Sequence, residues 1–269
     1  MNIDQHSIVI ITGASRGIGR EAALAFARKG AKVILASRDL SKMNAVADEI
    51  KSLGGHSMIV PTDVSNEADC KALVATTIKT YGKVDVLVNN AGYGHYASVE
   101  NLKNEDLDAI FKTNLYGAIW CIQAALPHMK AQKRGHIVNV STIISKRSVP
   151  FMSAYCMSKF AMTGMDEALR LEVRPYGIGV SLVCPGITHT DFQTNAGKIG
   201  FAPPVANTGG MTAKKVGQTI LSAVEHRRRR VYLTFSGKAL VYIQRLCPAI
   251  VDEIIFMMYS RQGLNSKNT

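Results

Sequence analysis

The sequence has little to tie it together covalently. Its five cysteines (Cys70, Cys121, Cys156, Cys184 and Cys247) are odd in number and scattered, and none forms a C-x-x-C pair. That excludes a disulfide framework and a zinc site of the usual spacing, and makes a reducing compartment, the cytoplasm, the expectation. The seven histidines show no metal-ligand spacing either, so no metal is expected. No stretch rich in Ser, Pro or Gly divides the 269 residues, which predicts one domain. Met1 to His6 is short and polar and holds no signal-peptide core, and no segment reads as a membrane-spanning helix. Charged residues make up only 19% against 47% hydrophobic, which excludes a disordered chain and leaves ample material for a core. Acidic residues are the scarcer sign, 20 against 32 basic, for a net charge of +12. Half of that excess lies between Arg227 and Thr269, where eight Lys/Arg face two Asp/Glu.

What is present is an alternation. Ser7 to Thr12 is a β-branched apolar run ending at a glycine, the signature of a buried strand. Ile18 to Lys29 carries apolar residues at helical spacing and stops at Gly30. Lys32 to Ser37 is a second strand, and a helix follows to about Leu53, closed by Gly54-Gly55. Further strands are predicted near 57–60, 84–89, 136–141 and 179–183, and helices near 66–81, 104–130, 153–173 and 212–227. Apolar strands alternating with helices predict an α/β fold, a doubly wound, mostly parallel Rossmann-type sheet with helices on both faces. Two stretches break the rhythm. Ile187 to Met211 is rich in Gly, Pro, Asn and Thr and follows a strand end, where ligands bind and lids form in such sheets. After Val231–Phe235, Gly237 to Ser260 reads as two amphipathic helical segments broken at Pro248. The chain thus divides into a main domain, 1–236, and a helical extension, 237–269.

Two strings carry chemistry. Thr12-Gly13-Ala14-Ser15-Arg16-Gly17-Ile18-Gly19 links a predicted strand to a predicted helix. A helix N-terminus with a glycine-rich entry binds phosphate, because its free N–H groups and dipole point at the anion. The bland alternative is an ordinary strand–helix turn. The second strand ends Ala36-Ser37-Arg38, without the acidic residue that would accept hydrogen bonds from an adenosine ribose diol. Arg38 and Arg16 suit a 2′-phosphate instead, which favours NADP(H) over two merely solvated arginines. The second string, Tyr155-Cys156-Met157-Ser158-Lys159, puts a phenol and an ammonium one helical turn apart. The positive charge is expected to lower the phenol's pKa from its ordinary value of about 10. On an unrelated surface helix the same pair would mean nothing.

With Asp63-Val64, Asn89-Asn90-Ala91-Gly92, Asn114, Val138-Asn139-Val140-Ser141-Thr142 and Pro185-Gly186-x-x-x-Thr190, the order and spacing resemble the short-chain dehydrogenase/reductase family over about residues 7–235. The likeness is to its conventional single-domain type, with an extended C-terminal tail. The resemblance implies that Asp63 and Val64 contact the adenine and that Asn89 to Gly92, hence Asn90, Ala91 and Gly92, shape the floor of the cofactor cleft. It implies a catalytic tetrad of Asn114, a hydroxyl residue, Tyr155 and Lys159. Lys159 would also grip the nicotinamide ribose and Asn114 would hold a water. Pro185, Gly186, Thr188 and Thr190 would hold the nicotinamide carboxamide. The family usually carries a serine thirteen residues before the tyrosine, and that position is Thr142. Ser141 is adjacent, but neighbouring strand residues point to opposite faces, so Thr142 is taken as the hydroxyl that orients the carbonyl.

The chemistry so implied is reduction of a carbonyl by hydride, with Tyr155 as general acid, or the reverse oxidation. Pocket candidates are Tyr93, His95, Tyr96, Phe151, Met152 and Phe192, with His189 at the loop entrance. They are mostly apolar or aromatic and include no arginine to pin a carboxylate, so an apolar carbonyl or secondary alcohol is expected. The extended tail resembles that of family members acting on lipids and steroids at membranes, which implies a lipid- or steroid-like substrate. The tail sets apolar residues such as Leu246, Ile250, Ile254 and Met257 beside Arg227 to Arg230. Residues 227–260 could therefore lie at a membrane surface, with the enzyme cytoplasmic but membrane-associated. The same face could instead pack on the domain or on a second subunit. Nucleic acid is not expected as a partner, since no aromatic residues interleave with the arginines. Family likeness predicts a homo-dimer or tetramer through the long helices 104–130 and 153–173. The competing function is a non-catalytic NADP-binding regulatory or membrane-peripheral protein that keeps the fold.

Overall fold

The computed structural model describes residues 1–190, 192, 197–198 and 210–260. Seven strands form one parallel sheet: β1 (Ile8–Thr12), β2 (Lys32–Ser37), β3 (His56–Pro61), β4 (Val86–Asn89), β5 (Gly135–Val140), β6 (Ile178–Cys184) and β7 (Arg230–Tyr232). Their order is β7-β6-β5-β4-β1-β2-β3, and every pairing within the sheet is parallel. Helices pack on both faces, so the strands are apolar on both sides, and the two-residue period sorts them. Val9 and Ile11 face one core, with Phe26 of α1 (Gly17–Ala27), Ile50 of α2 (Leu40–Ser52) and Ile220 of α7 (Ala213–Glu225). Ile8 and Ile10 face the other, with Leu73 of α3 (Glu67–Tyr81), Met129 of α5 (Gly117–Ala131) and Leu169 of α6 (Ser153–Glu172). The fold is the doubly wound single domain that the alternation predicts.

The expected helix 104–130 is broken. It runs as α4 (Asn104–Phe111), then a π-helical turn at Lys112–Tyr116, then α5. Such a turn lodges one extra residue in the helix and is frequent at functional sites. Here it carries Asn114, whose side chain is fully buried.

The tail forms α8 (Phe235–Leu246) and α9 (Pro248–Ser260). The Thr234 hydroxyl accepts a hydrogen bond from Gly237 N at 3.1 Å and starts α8 two residues earlier than expected. Pro248 opens α9, where its missing N–H costs nothing. Val251, Ile255 and Tyr259 pack against Val149, Phe151 and Leu240 of the same chain. Tyr242, Leu246, Ile250, Ile254 and Met257 remain exposed. Arg227 reaches the carbonyl of Gly177, just before β6 begins, and Arg230 pairs with Glu167, whereas α8 starts beyond the far end of β7. No helix among the described residues is long and apolar enough to cross a membrane. Much of the expected lid, 187–211, and the end of the extension, 261–269, lie outside the described residues.

Candidate active site

The sheet order reverses between β1 and β4, and the loops leaving these two strands meet at the position where doubly wound sheets bind ligands. Thr12 ties them together. Its Oγ1 accepts the N–H groups of Asn90 (3.0 Å) and Ala91 (3.1 Å), while Asn90 Nδ2 donates to the Thr12 carbonyl at 2.9 Å. Gly13 and Gly17 have φ of +65° and +54°, which a side chain would strain. A Cβ on Gly13 would meet Ala91 Cα at 3.0 Å, and one on Gly19 would run into the Gly13 carbonyl oxygen. The turn therefore exposes bare backbone at the start of α1, whose first N–H groups are capped by no side chain among the described residues. Ile18 packs into the first core and leaves that end open. This cradle fits a dinucleotide pyrophosphate.

The adenosine end is built from β2 and β3. Ser37 Oγ donates to Ser15 Oγ at 3.0 Å. Arg38 is 77% exposed, with Nη1 3.7 Å from Asp63 Oδ2, and the charge of Arg16 bears on Asp39. Burial pushes the Asp63 carboxyl up, but hydrogen bonds from Ser65 and the Arg38 charge outweigh it and hold it below its ordinary value. Val64 lies beneath Asp63, packed against Gly117 at the start of α5. Asn89 does not join the cleft floor. Its Nδ2 donates to Asn139 Oδ1 at 3.0 Å inside the sheet, because it alternates with Asn90 along the chain.

The tetrad residues converge. Asn114 Oδ1 accepts from Tyr93 N at 3.0 Å, and its Nδ2 donates to the Tyr93 carbonyl at 3.0 Å and to Ser158 Oγ at 3.2 Å. Ser158 in turn donates to the Tyr155 carbonyl at 2.7 Å. Asn114 is thus locked to both α6 and the loop after β4. Ser158, three residues past the tyrosine, was not singled out in the sequence, although it lies inside the Tyr155–Lys159 string. Lys159 Nζ donates to the Val140 carbonyl at 3.0 Å and lies 5.9 Å from the Tyr155 ring centre. The space a Cβ at residue 92 would fill is 2.9 Å from Asn114 Oδ1 and 3.6 Å from Lys159 Nζ.

The Thr142 hydroxyl lies close enough to the Tyr155 phenol to favour its ionised form. Ser141 continues the extended backbone, donating its N–H to the Val183 carbonyl at 2.8 Å, and its Oγ is buried without a partner among the described residues. The electrostatics differ from the sequence expectation. Burial raises the Tyr155 pKa, the Cys156 thiol adds to it, and the Thr142 hydroxyl opposes it. The Lys159 ammonium, itself lowered to about 8 by burial, does not reverse that. In a dry setting desolvation outweighs a cation on the far side of the ring.

Beyond β6, Pro185 is buried and its carbonyl accepts Ile143 N at 3.0 Å. Thr188 Oγ1 donates to the Gly186 carbonyl at 3.1 Å, and Thr190 Oγ1 accepts Phe192 N at 3.3 Å. The Thr190 methyl would stand 3.2 Å from a Cβ on Gly17, so this segment arches over to the glycine turn. Tyr93, Tyr96, Met152 and Phe192 gather around Tyr155 in one apolar cluster, with the Phe192 ring edge-on to Tyr155 at 5.4 Å. His95 is buried with Nε2 3.7 Å from Asp106. Two pocket candidates go elsewhere. Phe151, at φ +62°, turns its ring outward toward α9. His189 is exposed, and its ring accepts Gly210 N at 3.1 Å, pinning the base of the 187–211 loop rather than lining a pocket.

Residues 7–198 match the sequence profile of the short chain dehydrogenases. Dehydrogenase/reductase SDR family member 7B of Mus musculus is 32% identical over 260 residues, 93% of this chain and 80% of that protein. Ketoacyl reductase HetN of Nostoc sp. is 31% identical, over 91% of this chain and 87% of its own. Among solved structures, a short chain dehydrogenase/reductase from Burkholderia phymatum in complex with NAD superposes with a TM-score of 0.85 at 27% identity, covering 91% of this chain and 94% of that one. A metagenomic short-chain oxidoreductase in complex with NADP gives 0.74 at 28% identity, covering 87% and 100%.

Proposed function

The chain belongs to the short-chain dehydrogenase family, an oxidoreductase, and from that premise we propose that it uses NADP(H) to interconvert an apolar carbonyl compound and its secondary alcohol. The observation that carries this reading is the convergence of Asn114, Tyr155 and Lys159, with Thr142 beside the phenol, in an apolar wall next to the glycine-rich turn. The bare backbone from Gly13 to Gly19 would hold the pyrophosphate, and Asn90, Ala91 and Gly92 the floor beneath it. Asp63 and Val64 would meet the adenine, Lys159 and Tyr155 the nicotinamide ribose, and Pro185, Gly186, Thr188 and Thr190 the carboxamide. When bound, the cofactor supplies hydride in reduction and accepts it in oxidation.

Tyr155 gives its proton to the carbonyl oxygen. The phenol is neutral in this setting, so it carries the proton that reduction needs. Thr142 hydrogen-bonds the same oxygen and stabilises charge as it develops. Lys159 stands over the phenol ring, and a water held by Asn114, as the family resemblance implies, would link it to solvent and give a route for the proton to be replaced. NADP(H) is supported by the absence of an acidic side chain at the end of β2 and by the exposed Arg38 there. A homo-oligomer is supported by the apolar groove between α5 and α6, lined by Ile119, Ile122, Leu126 and Met165.

The test is a titration with NADPH and NADH, followed by nicotinamide fluorescence and by reduction of a ketone panel. Arg38→Ala should weaken NADPH about tenfold and leave NADH unchanged. Tyr155→Phe should slow reduction by about 10²- to 10⁴-fold while NADPH still binds. Equal loss of both cofactors in the first variant would overturn the NADP preference. Undiminished turnover in the second would overturn the mechanism, and a cellular function that survives it would favour the non-catalytic alternative.

A further inference from the structure

α9 grips the segment that leads into α6 at both ends. At one end Arg147 Nη2 pairs with Asp252 Oδ1 at 2.5 Å. At the other, Val251, Ile255 and Tyr259, spaced i, i+4 and i+8, cover Val149 and Phe151. The Phe151 and Tyr259 rings lie 6.4 Å apart at 31°. Phe151 is the strained residue of this segment, at φ +62°. A bulky side chain takes that conformation at a cost and keeps it only where its surroundings over-determine it.

The backbone of Phe151 joins the apolar wall around Tyr155. Its carbonyl accepts Ala97 N at 2.9 Å, and Met152 bridges the same alanine. The Met152 carbonyl accepts Cys156 N at 2.8 Å, the first turn of the helix that carries Tyr155. Tyr96, next to Ala97, and Met152 both belong to the apolar cluster around Tyr155. Burial pushes the Tyr259 phenol up to about 12, with Tyr96 and Cys156 adding to it, so the last helix is within electrostatic reach of that wall. The chain is thus held at Phe151 between that wall and α9.

We propose that α9, through Tyr259, is a brace that holds the Phe151 turn in its strained form and thereby sets the width of the substrate pocket. Tyr259 is a positioning residue and touches no reacting atom. The link to substrate rests on the oxidoreductase reading; the brace itself does not.

Full-length wild type, Tyr259→Ala, Tyr259→Phe and Asp252→Asn are compared by amide hydrogen exchange and by NADPH-dependent reduction of linear 2-alkanones of increasing length. In Tyr259→Ala, exchange at the Ala97 and Cys156 amides should accelerate about tenfold. KM for short alkanones should rise about tenfold with kcat changed less, and the preferred length should shift upward. NADPH affinity should stay within about twofold, and Tyr259→Phe, which keeps the ring, should move the same amides less than Tyr259→Ala does. Asp252→Asn should move the same amides in the same direction by about threefold, and it decides the matter if Tyr259→Ala does not fold. Unchanged exchange at Ala97 and Cys156 overturns the brace. If wild type reduces none of the alkanones, the substrate reading fails, while the exchange data still settle the brace.

Discussion

The two ends of the active-site cleft are held by different means. At the dinucleotide end the backbone does the holding: glycines at positions 13, 17 and 19 permit a turn that any Cβ would spoil, and the single hydroxyl of Thr12 fastens it to the loop after β4. At the substrate end side chains far apart in sequence meet: Tyr96, Met152 and Phe192 around Tyr155, with Tyr259 behind Phe151. A surface made of backbone can serve one invariant shape, such as a pyrophosphate. A surface made of packed side chains can be refitted residue by residue to a different substrate without disturbing the first.

That contrast is broken most severely at Gly19. A Cβ there meets the Gly13 carbonyl oxygen, a backbone atom that cannot rotate aside. Gly19→Ala should cost at least about 100-fold in NADPH affinity, equivalent to about 2.7 kcal/mol, measured by fluorescence titration. A variant that still bound within a few-fold would mean that the turn is held by its neighbours and not by its own backbone.

Lys159 stands where the two ends join, and there function is opposed to stability. Burial lowers its pKa from 10.5 to about 8. Below pH 8 both the folded and unfolded chains carry the proton, so the fold bears the full cost of a buried charge. As pH rises from about 8 to 10.5 the folded state releases its proton first, the unfolded state binds more protons, and stability increases. Lys159→Met should therefore be inactive yet more stable than wild type at pH 7. The gain has an upper bound on the order of 3 kcal/mol, reduced by the lost bond to the Val140 carbonyl. The difference should narrow toward pH 10.5. Urea melts at three pH values would measure it, and a variant less stable at pH 7 would mean that the bond to Val140 outweighs desolvation.

The same contrast explains what could be read from the sequence. The strand–helix alternation, the glycine turn and the Tyr155–Lys159 pair are local patterns, so the sheet, its switch point and the residues beside it were legible. The π-helical turn at Lys112–Tyr116 was not, because the sequence shows one uninterrupted apolar period, and only the bonds from Asn114 to Tyr93 and Ser158 account for the extra residue. Phe151 was misjudged for a related reason. Its chain position is right, but a left-handed φ turns its ring toward α9. The placement of α9 depended on a contact between residues about 100 apart in the chain, Phe151 and Tyr259. No spacing rule reaches that far.

The smallest expected effect bears on the neighbours Ser141 and Thr142, where the sequence offered two hydroxyls and strand alternation favoured one. The Thr142 hydroxyl lies close to the Tyr155 phenol, and Ser141 Oγ is buried with no partner among the described residues. Removing an unpaired buried hydroxyl relieves its desolvation and leaves only a space smaller than a methyl group, so Ser141→Ala should change stability by under about 1 kcal/mol. Its turnover should stay within about twofold of wild type, since losing Ser141 Oγ breaks no hydrogen bond among the described residues. Thr142→Ser keeps the donor and loses only a methyl, so its loss should not exceed about threefold. Initial rates on one ketone for the two variants compare them directly. A large loss in Ser141→Ala beside an unchanged Thr142→Ser would reverse the assignment: the strand would then present Ser141, and not Thr142, to the carbonyl oxygen.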